Sequence, residues 1–333
     1  MSKAAAMPRS ETGHMPAGVR TLLLRPEAPA LIFLVLLAIV LAFTAEGFLD
    51  PANLEDNIAR VVVLGVIALG VNQVVLSGEI DISVGSMLGL CAFAVGAVGE
   101  SQGGLILPLL AGIGTGVVAG SVNGALVTLG RIPSIIVTLG MLYALRGMIL
   151  VITGGRWITN IPSDTRALGL QSVAGVSVPV IILVVLLVVV ELISRNSTWG
   201  RNVFAVGGNR RAARFAGLSA GRTRFLAFVL VGVLTGIAAA IYVGRAGGVQ
   251  TNAGQGLELQ VVAAVVVGGT SISGGRGSSV AAITGAVLIG VILNGLVLLD
   301  VPAEWQSAML GALILLAIST DALRRRLLRE QPS

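Results

Sequence analysis

Four carboxylates lie in or against apolar stretches of this chain: Glu79, Asp81, Glu191 and Glu258. An ionisable group at bilayer depth costs about 2.5–3.5 kcal/mol or more, so each is a candidate working residue. Asp81, between Ile80 and Ile82, is the foremost. It is either a group on a transport path or a cap that accepts backbone N–H bonds from a helix beginning at Ile82. Glu191 falls near the end of an apolar run and reads as interfacial. Arg146, deep within TLGMLYALRGMILVITGG, calls for a carboxylate partner or for backbone carbonyls in a protein interior. Asp81 with Arg146 would make an ion- or proton-coupling site.

Other chemistries are excluded by what the chain lacks. Its single lysine is Lys3, so no GxxxxGK[ST] phosphate loop exists and the chain does not itself hydrolyse ATP through one. The sole histidine, His14, lies in a polar tail, which leaves no base for a Ser/His hydrolase. One cysteine, Cys91 in an apolar run, rules out a disulfide framework, and with a single histidine there is no His/Cys metal site. No cofactor is expected.

The elements that must position these residues are membrane helices. The 333 residues are 55% hydrophobic and 11% charged, too apolar for one soluble core. The 45 glycines sit inside apolar runs, as in helices that pack backbone to backbone where lipid supplies no hydrophobic drive for association. The net charge of +6 comes from arginines that flank those runs, so topology accounts for it without a polyanionic partner. Scarce aromatics leave no platform for stacking bases, and no nucleic acid is implied.

Cut at its polar interruptions, the chain yields about ten spans of near-bilayer length, at 29–47, 58–78, 82–99, 105–129, 133–154, 173–194, 223–246, 257–272, 278–299 and 303–321. The expected architecture is all-α, a polytopic membrane helix bundle over 29–321 with tails at 1–28 and 322–333. Basic clusters mark the inner face: the first tail (Lys3, Arg9, Arg20, Arg25), seven arginines within 195–224, and Arg324, Arg325, Arg326 and Arg329. Acidic Glu46, Asp50, Glu55, Asp56, Glu100, Asp164, Asp300 and Glu304 mark the opposite face. Both termini are therefore expected in the cytoplasm.

Two segments interrupt apolar runs with glycine and small polar residues, and they resemble each other. SGEIDISVGS (77–86) and VGGTSISGGR (267–276) align Gly78 with Gly268, Ile82 with Ile272, Ser83 with Ser273 and Gly85 with Gly275. Broken helices at matching points of an internal repeat point to a transport path, because irregular backbone at membrane depth needs water or protein to satisfy it. Ser83, Thr270, Ser271 and Ser273 are expected to flank that path. Elsewhere Gly112, Gly116, Gly120 and Gly124 form one stripe along a helix that another helix must approach closely, and Gly232 with Gly236 repeats the device. Within the arginine-rich loop, GGNRRAARFAGL reads as a short helix opened by Asn209 and closed by Gly217, ordered enough to be a handle for a partner.

GEIDISVGS, IPSIIVTLGMLYALRG, TGGRW, WGRNVFAVGGNRRAARFAGL, LELQVVAAVVVGGTSISGGRG and NGLVLLDVP follow one another over nearly the whole membrane region. They resemble the permease subunits of ribose/xylose/galactose-type ABC importers, with some likeness to the rhamnose and autoinducer-2 branches. The sequence departs from that pattern at Glu79, where glycine is common, and at Ser134, where proline followed by phenylalanine is usual. The resemblance implies a subunit in the bacterial inner membrane that pairs with a second permease, identical or not. It would dock a cytoplasmic ATP-binding cassette ATPase and receive sugar from a periplasmic binding protein. The candidate path residues are then Asp81, Ser83, Thr138, Arg146, Thr270, Ser271, Ser273 and Asn294. The candidate coupling residues are Gly208, Asn209, Ala212, Ala213 and Gly217. The rival is a self-sufficient secondary transporter driven through Asp81 and Arg146.

Overall fold

A computed structural model describes residues 27–329. In chain order its helices are α1 (Ala28–Thr44), α2 (Pro51–Leu76), α3 (Val84–Gln102), α4 (Ile106–Thr128), α5 (Ser134–Thr153), α6 (Ala167–Leu170), α7 (Val178–Asn196), α8 (Thr198–Gly208), α9 (Arg210–Phe215), α10 (Ala220–Ala246), α11 (Leu257–Val267), α12 (Ser279–Leu298) and α13 (Ala303–Arg329). A small antiparallel hairpin, β1 (Ser172–Val173) and β2 (Val176–Ser177), precedes α7. Proline stands in the first turn of α1, α2 and α7, where its missing N–H leaves no bond unmade. Glycines in the left-handed conformation end α5 (Gly154) and α10 (Gly247).

Seven of these helices (α2, α3, α4, α5, α7, α10 and α12) are long and apolar enough to cross a bilayer; α1, α11 and the Ala303–Leu316 part of α13 are shorter. The expected count of about ten spans is not confirmed, and one of the expected spans changes. The run at 257–272 is not one span: α11 stops at Val267 after 11 residues, about 16 Å, roughly half the hydrocarbon thickness. Glycines 268, 269, 274, 275 and 277 then turn the chain. At the other end α13 runs through Arg329 without a proline or glycine to stop it beyond Gly311, so the backbone of 322–329 continues the helix. The N-terminal tail with Lys3, Arg9, His14, Arg20 and Arg25 lies outside the described residues.

Helix α2 is the axis of the bundle. Val66, Ile67, Ala68, Leu69, Val71 and Val74 have no exposed surface, and α7, α10, α11 and α12 pack around them. Around that axis the outward faces stay apolar: Ile136, Tyr143, Val151 and Ile152 on α5 and Val184, Val185 and Val188 on α7 are exposed, as a lipid-facing surface requires. The tightest packing joins α4 to α10. Gly116 and Gly232 abut each other's backbone, Gly236 abuts Gly112 and Ile113, and Gly120 and Gly124 abut Phe228 and Phe225. A Cβ on Gly236 would lie 2.5 Å from Ile113 Cα, so neither helix tolerates a side chain here without separating from the other.

Candidate translocation and coupling site

The first broken segment is held by side chains. After α2, Gly78 turns the chain with φ +80, and the Ile80 N–H donates to Ser134 Oγ (3.1 Å) on α5. Asp81 is fully buried; its Oδ1 accepts the Ser83 N–H (2.9 Å) and the Ser83 hydroxyl (2.7 Å), and Ser83 Oγ in turn accepts from Asn123 Nδ2 (2.8 Å) on α4. Asp81 thus braces the entry to α3, which begins at Val84 rather than Ile82. Ser83 is fully buried in this network and faces no open channel within the subunit. Thr138, also buried, donates to the Ser134 carbonyl (2.9 Å) and approaches Ile80 O at 3.4 Å, which ties α5 to the same turn.

The second broken segment is held mostly by backbone. The Thr270 N–H returns to Val265 O (3.1 Å), the Ser271 N–H donates to Arg276 O (2.9 Å) and the Gly274 N–H to Ser271 O (2.9 Å). Thr270 Oγ1 reaches Asn72 Oδ1 (2.7 Å) on α2, Ser271 is buried, and Ser273 is exposed. Ser278 caps α12 by accepting the Ala281 N–H (3.0 Å).

The fold brings the two turns together. The Gly275 N–H donates to the Leu76 carbonyl (2.9 Å), and a Cβ on Gly274 would fall 2.9 Å from Gly78 Cα. The end of α8 lies in the same junction. Gly207 sits against Leu76 O on one side and Gly275 N (2.7 Å from an added Cβ) on the other, and Gly208 backs onto Gly275. One residue later Asn209 opens α9, its Oδ1 accepting the N–H groups of Arg211 (3.1 Å) and Ala212 (2.9 Å). Gly217 follows α9 with φ +76. Ala213 is buried against the rest of the chain, while Ala212, Ala216 and Phe215 are exposed, Phe215 to 87%. The glycines at the end of α8, one residue before α9, thus meet both broken segments backbone to backbone.

Two functional-looking contacts escaped the sequence. Glu79 is buried, and its Oε1 accepts from both Arg210 Nη2 on α9 and Arg224 Nη1 on α10. Arg210 and Arg224 read as topology markers among seven arginines; their partner 131 and 145 residues earlier is a long-range pairing that only the fold specifies. Glu191, expected to be merely interfacial, accepts the Ser279 N–H (3.0 Å) while paired with Arg195, and so joins α7 to the start of α12.

The remaining candidates lie elsewhere. Arg146 Nη1 donates to the Ala253 carbonyl (2.9 Å) and more weakly to Thr251 O (3.5 Å), so it uses carbonyls rather than Asp81. It stands twelve residues beyond Ser134 on α5, about 18 Å along the helix. Asn294 exchanges amide hydrogen bonds with Asn53 (2.7 and 3.2 Å) beside a cleft of about 500 Å³ lined by Asn57, Tyr242, Gln260 and Gln306. The eight path candidates therefore do not form one cluster: six surround the junction of broken segments, and Arg146 and Asn294 lie apart from them.

A bundle of apolar helices, seven of them long enough to cross a bilayer, with broken turns joined to a capped polar helix, has the architecture of a multi-pass membrane protein. The family described as branched-chain amino acid transport system / permease component matches residues 53–318. Among its relatives, the autoinducer 2 import system permease protein LsrC of Enterobacter sp. (strain 638) is 37% identical over 94% of this chain and 92% of its own. LsrC of Klebsiella pneumoniae subsp. pneumoniae is 38% identical over 94% and 91%. The ribose import permease protein RbsC of Bacillus subtilis (strain 168) is 36% identical over 86% and 90%. No solved structure matches the chain. The chain belongs to this family of permease components.

Proposed function

We propose that this chain is the inner-membrane permease subunit of an ABC importer for a monosaccharide or a similarly small polyhydroxy solute. Its partners are a cytoplasmic ATPase, a periplasmic binding protein and a second permease subunit. The observation that carries the reading is the junction in which Gly207 and Gly208, the root of the α9 handle, lie against both broken segments. A partner that pushes α9 then moves the turns on either side of Leu76 and Gly275 together. The similarity to permeases named for ribose and autoinducer 2 favours a neutral sugar-like cargo. The exposed Phe215 and Ala212 of α9 offer the ATPase a small apolar contact. Both termini are cytoplasmic in this reading.

The separation of Arg146 from Asp81 disfavours the secondary-transporter reading, whose coupling site required both. Reconstitution decides the matter. In proteoliposomes carrying the permease with its ATPase and binding protein, ribose or autoinducer 2 uptake should require ATP and the binding protein. Uptake from a proton or sodium gradient, with the permease alone, would overturn the proposal.

A further inference from the structure

We propose that the arginine-lined cavity beneath α9 is a binding site for a phosphate-bearing anion, distinct from the sugar path and independent of which sugar is carried. The cavity holds about 700 Å³ and is bounded by the α4–α5 turn, α9 and the start of α10. Four guanidinium groups line it, Arg131, Arg210, Arg214 and Arg224, against one carboxylate, Glu79. Glu79 is already shared between Arg210 and Arg224. The guanidinium groups of Arg131 and Arg214 make no ion pair or hydrogen bond among the described residues, so the cavity keeps an uncompensated positive charge on two sides.

Two long helices begin there. α5 starts at Ser134 after Pro133, and α10 starts at Ala220 after Ser219; neither has a side-chain cap, and Ser134, Ile135, Ala220 and Gly221 all line the cavity. Helix N-termini carry unsatisfied N–H groups and partial positive charge, which together attract phosphate. Gly221 has open space where a Cβ would be, so the α10 terminus is approachable. The Ser134 hydroxyl accepts from Ile80 and keeps its own proton to donate. Guanidinium forks suit phosphate oxygens in pairs, and the volume accommodates the phosphate with the group it esterifies.

The same chemistry fits an anionic phospholipid headgroup, since basic pockets between helices on the cytoplasmic side hold such headgroups, and a soluble phosphate ester from the cytoplasm. Ile132, Ile135 and Leu218 at the rim would accept the start of an acyl chain.

The test uses the full-length permease, purified and delipidated in detergent. Thermal unfolding is followed on titration with phosphatidylglycerol, with phosphatidylcholine, and with inorganic phosphate or ribose 5-phosphate against chloride at equal ionic strength. Saturable stabilisation by phosphatidylglycerol and not phosphatidylcholine identifies a lipid site; saturable stabilisation by the soluble phosphates identifies a free-anion site. In either case Arg131→Gln with Arg214→Gln should weaken the apparent affinity at least about tenfold per lost bidentate contact. Arg222→Gln, at a position outside the cavity lining, should not. If the double variant does not accumulate, the single Arg214→Gln, at an exposed position, serves. Absence of saturable stabilisation by any phosphate-bearing probe, or equal affinity in the cavity variants, overturns the proposal.

Discussion

The two broken segments share a sequence pattern and differ in almost every physical respect. Gly78 has φ +80, whereas its aligned partner Gly268 is helical with φ −60, pressed against Ala281. Gly85 lies inside α3, facing Gly254 and Glu258, whereas Gly275 is in a turn with φ +74. Ser83 is buried and Ser273 exposed. α11 and α12 fold back on one another, whereas α3 leaves α2 to pack on α4, α5 and α10. The first segment is a clamp built from Asp81, Ser83 and Asn123; the second is a glycine hinge built from backbone bonds. Small residues were selected twice, once to admit neighbours and once to bend the chain.

The largest effect should come where the two meet. Gly275→Val sets a branched side chain in the left-handed region with its Cβ 2.5 Å from Gly208 Cα, at a cost of several kcal/mol, about 3 or more. Membrane accumulation should be lost. Normal accumulation with normal uptake would mean that the hinge and α8 do not need their contact. Gly116→Leu in the α4–α10 seam should be comparably severe, with Val117→Leu mild; equal tolerance in a thermal-stability assay would place the stripe outside the packing interface.

Next, the clamp should be more brittle to loss of its acceptor than to loss of charge. Asp81→Ala strands the Ser83 N–H and the Ser83 hydroxyl proton in a buried site and should cost about 2–4 kcal/mol, read as a drop in Tm. Asp81→Asn keeps an acceptor oxygen and should cost about 1 kcal/mol or less, with substrate preference unchanged. Equal losses would make the charge itself, not the hydrogen bonds, the function of Asp81.

Much of this was legible in the sequence, for a physical reason. Lipid demands apolar runs of bilayer length and penalises every interruption, so the helices, the glycine stripe and both breaks announce themselves. What was not legible depends on depth and on partners far along the chain. Past the end of α11 the run from Leu257 to Ile272 carries only glycine, threonine and serine before Ile272, residues that membrane helices also hold, so hydropathy cannot tell a half-helix from a span. The burial of Ser83 depends on Asn123, forty residues away, and the junction at Gly207 on Leu76 and Gly275. The short alignment matched letters whose surroundings differ, and so it suggested two equivalent serines on a path.

Thiol chemistry turns that difference into a measurement. With Cys91→Ala as background, Ser273→Cys should react readily with a small water-soluble reagent, whereas Ser83→Cys, sealed behind Asp81 and Asn123, should react at least roughly tenfold more slowly. Equal rates would mean that the clamp opens and would restore Ser83 to the path.

The smallest effect should separate clamp from handle. Glu79 belongs to the first segment but binds Arg210 of α9 and Arg224 of α10, so it is the side-chain link between the clamp and α9, parallel to the backbone link through Gly207. Arg210 is half exposed, so its pair is partly screened and worth little, whereas the more enclosed Arg224 is left without its carboxylate charge in Glu79→Gln. The amide oxygen still accepts from one arginine, so folding should survive with a Tm lowered by a few degrees, about 1 kcal/mol. If the link transmits motion, ATPase activity stimulated by the binding protein should fall less than uptake, raising the ATP consumed per sugar. If uptake and hydrolysis fall together, Glu79 only stabilises the fold. If neither changes, the Gly207 junction alone carries the movement of α9 into the two turns.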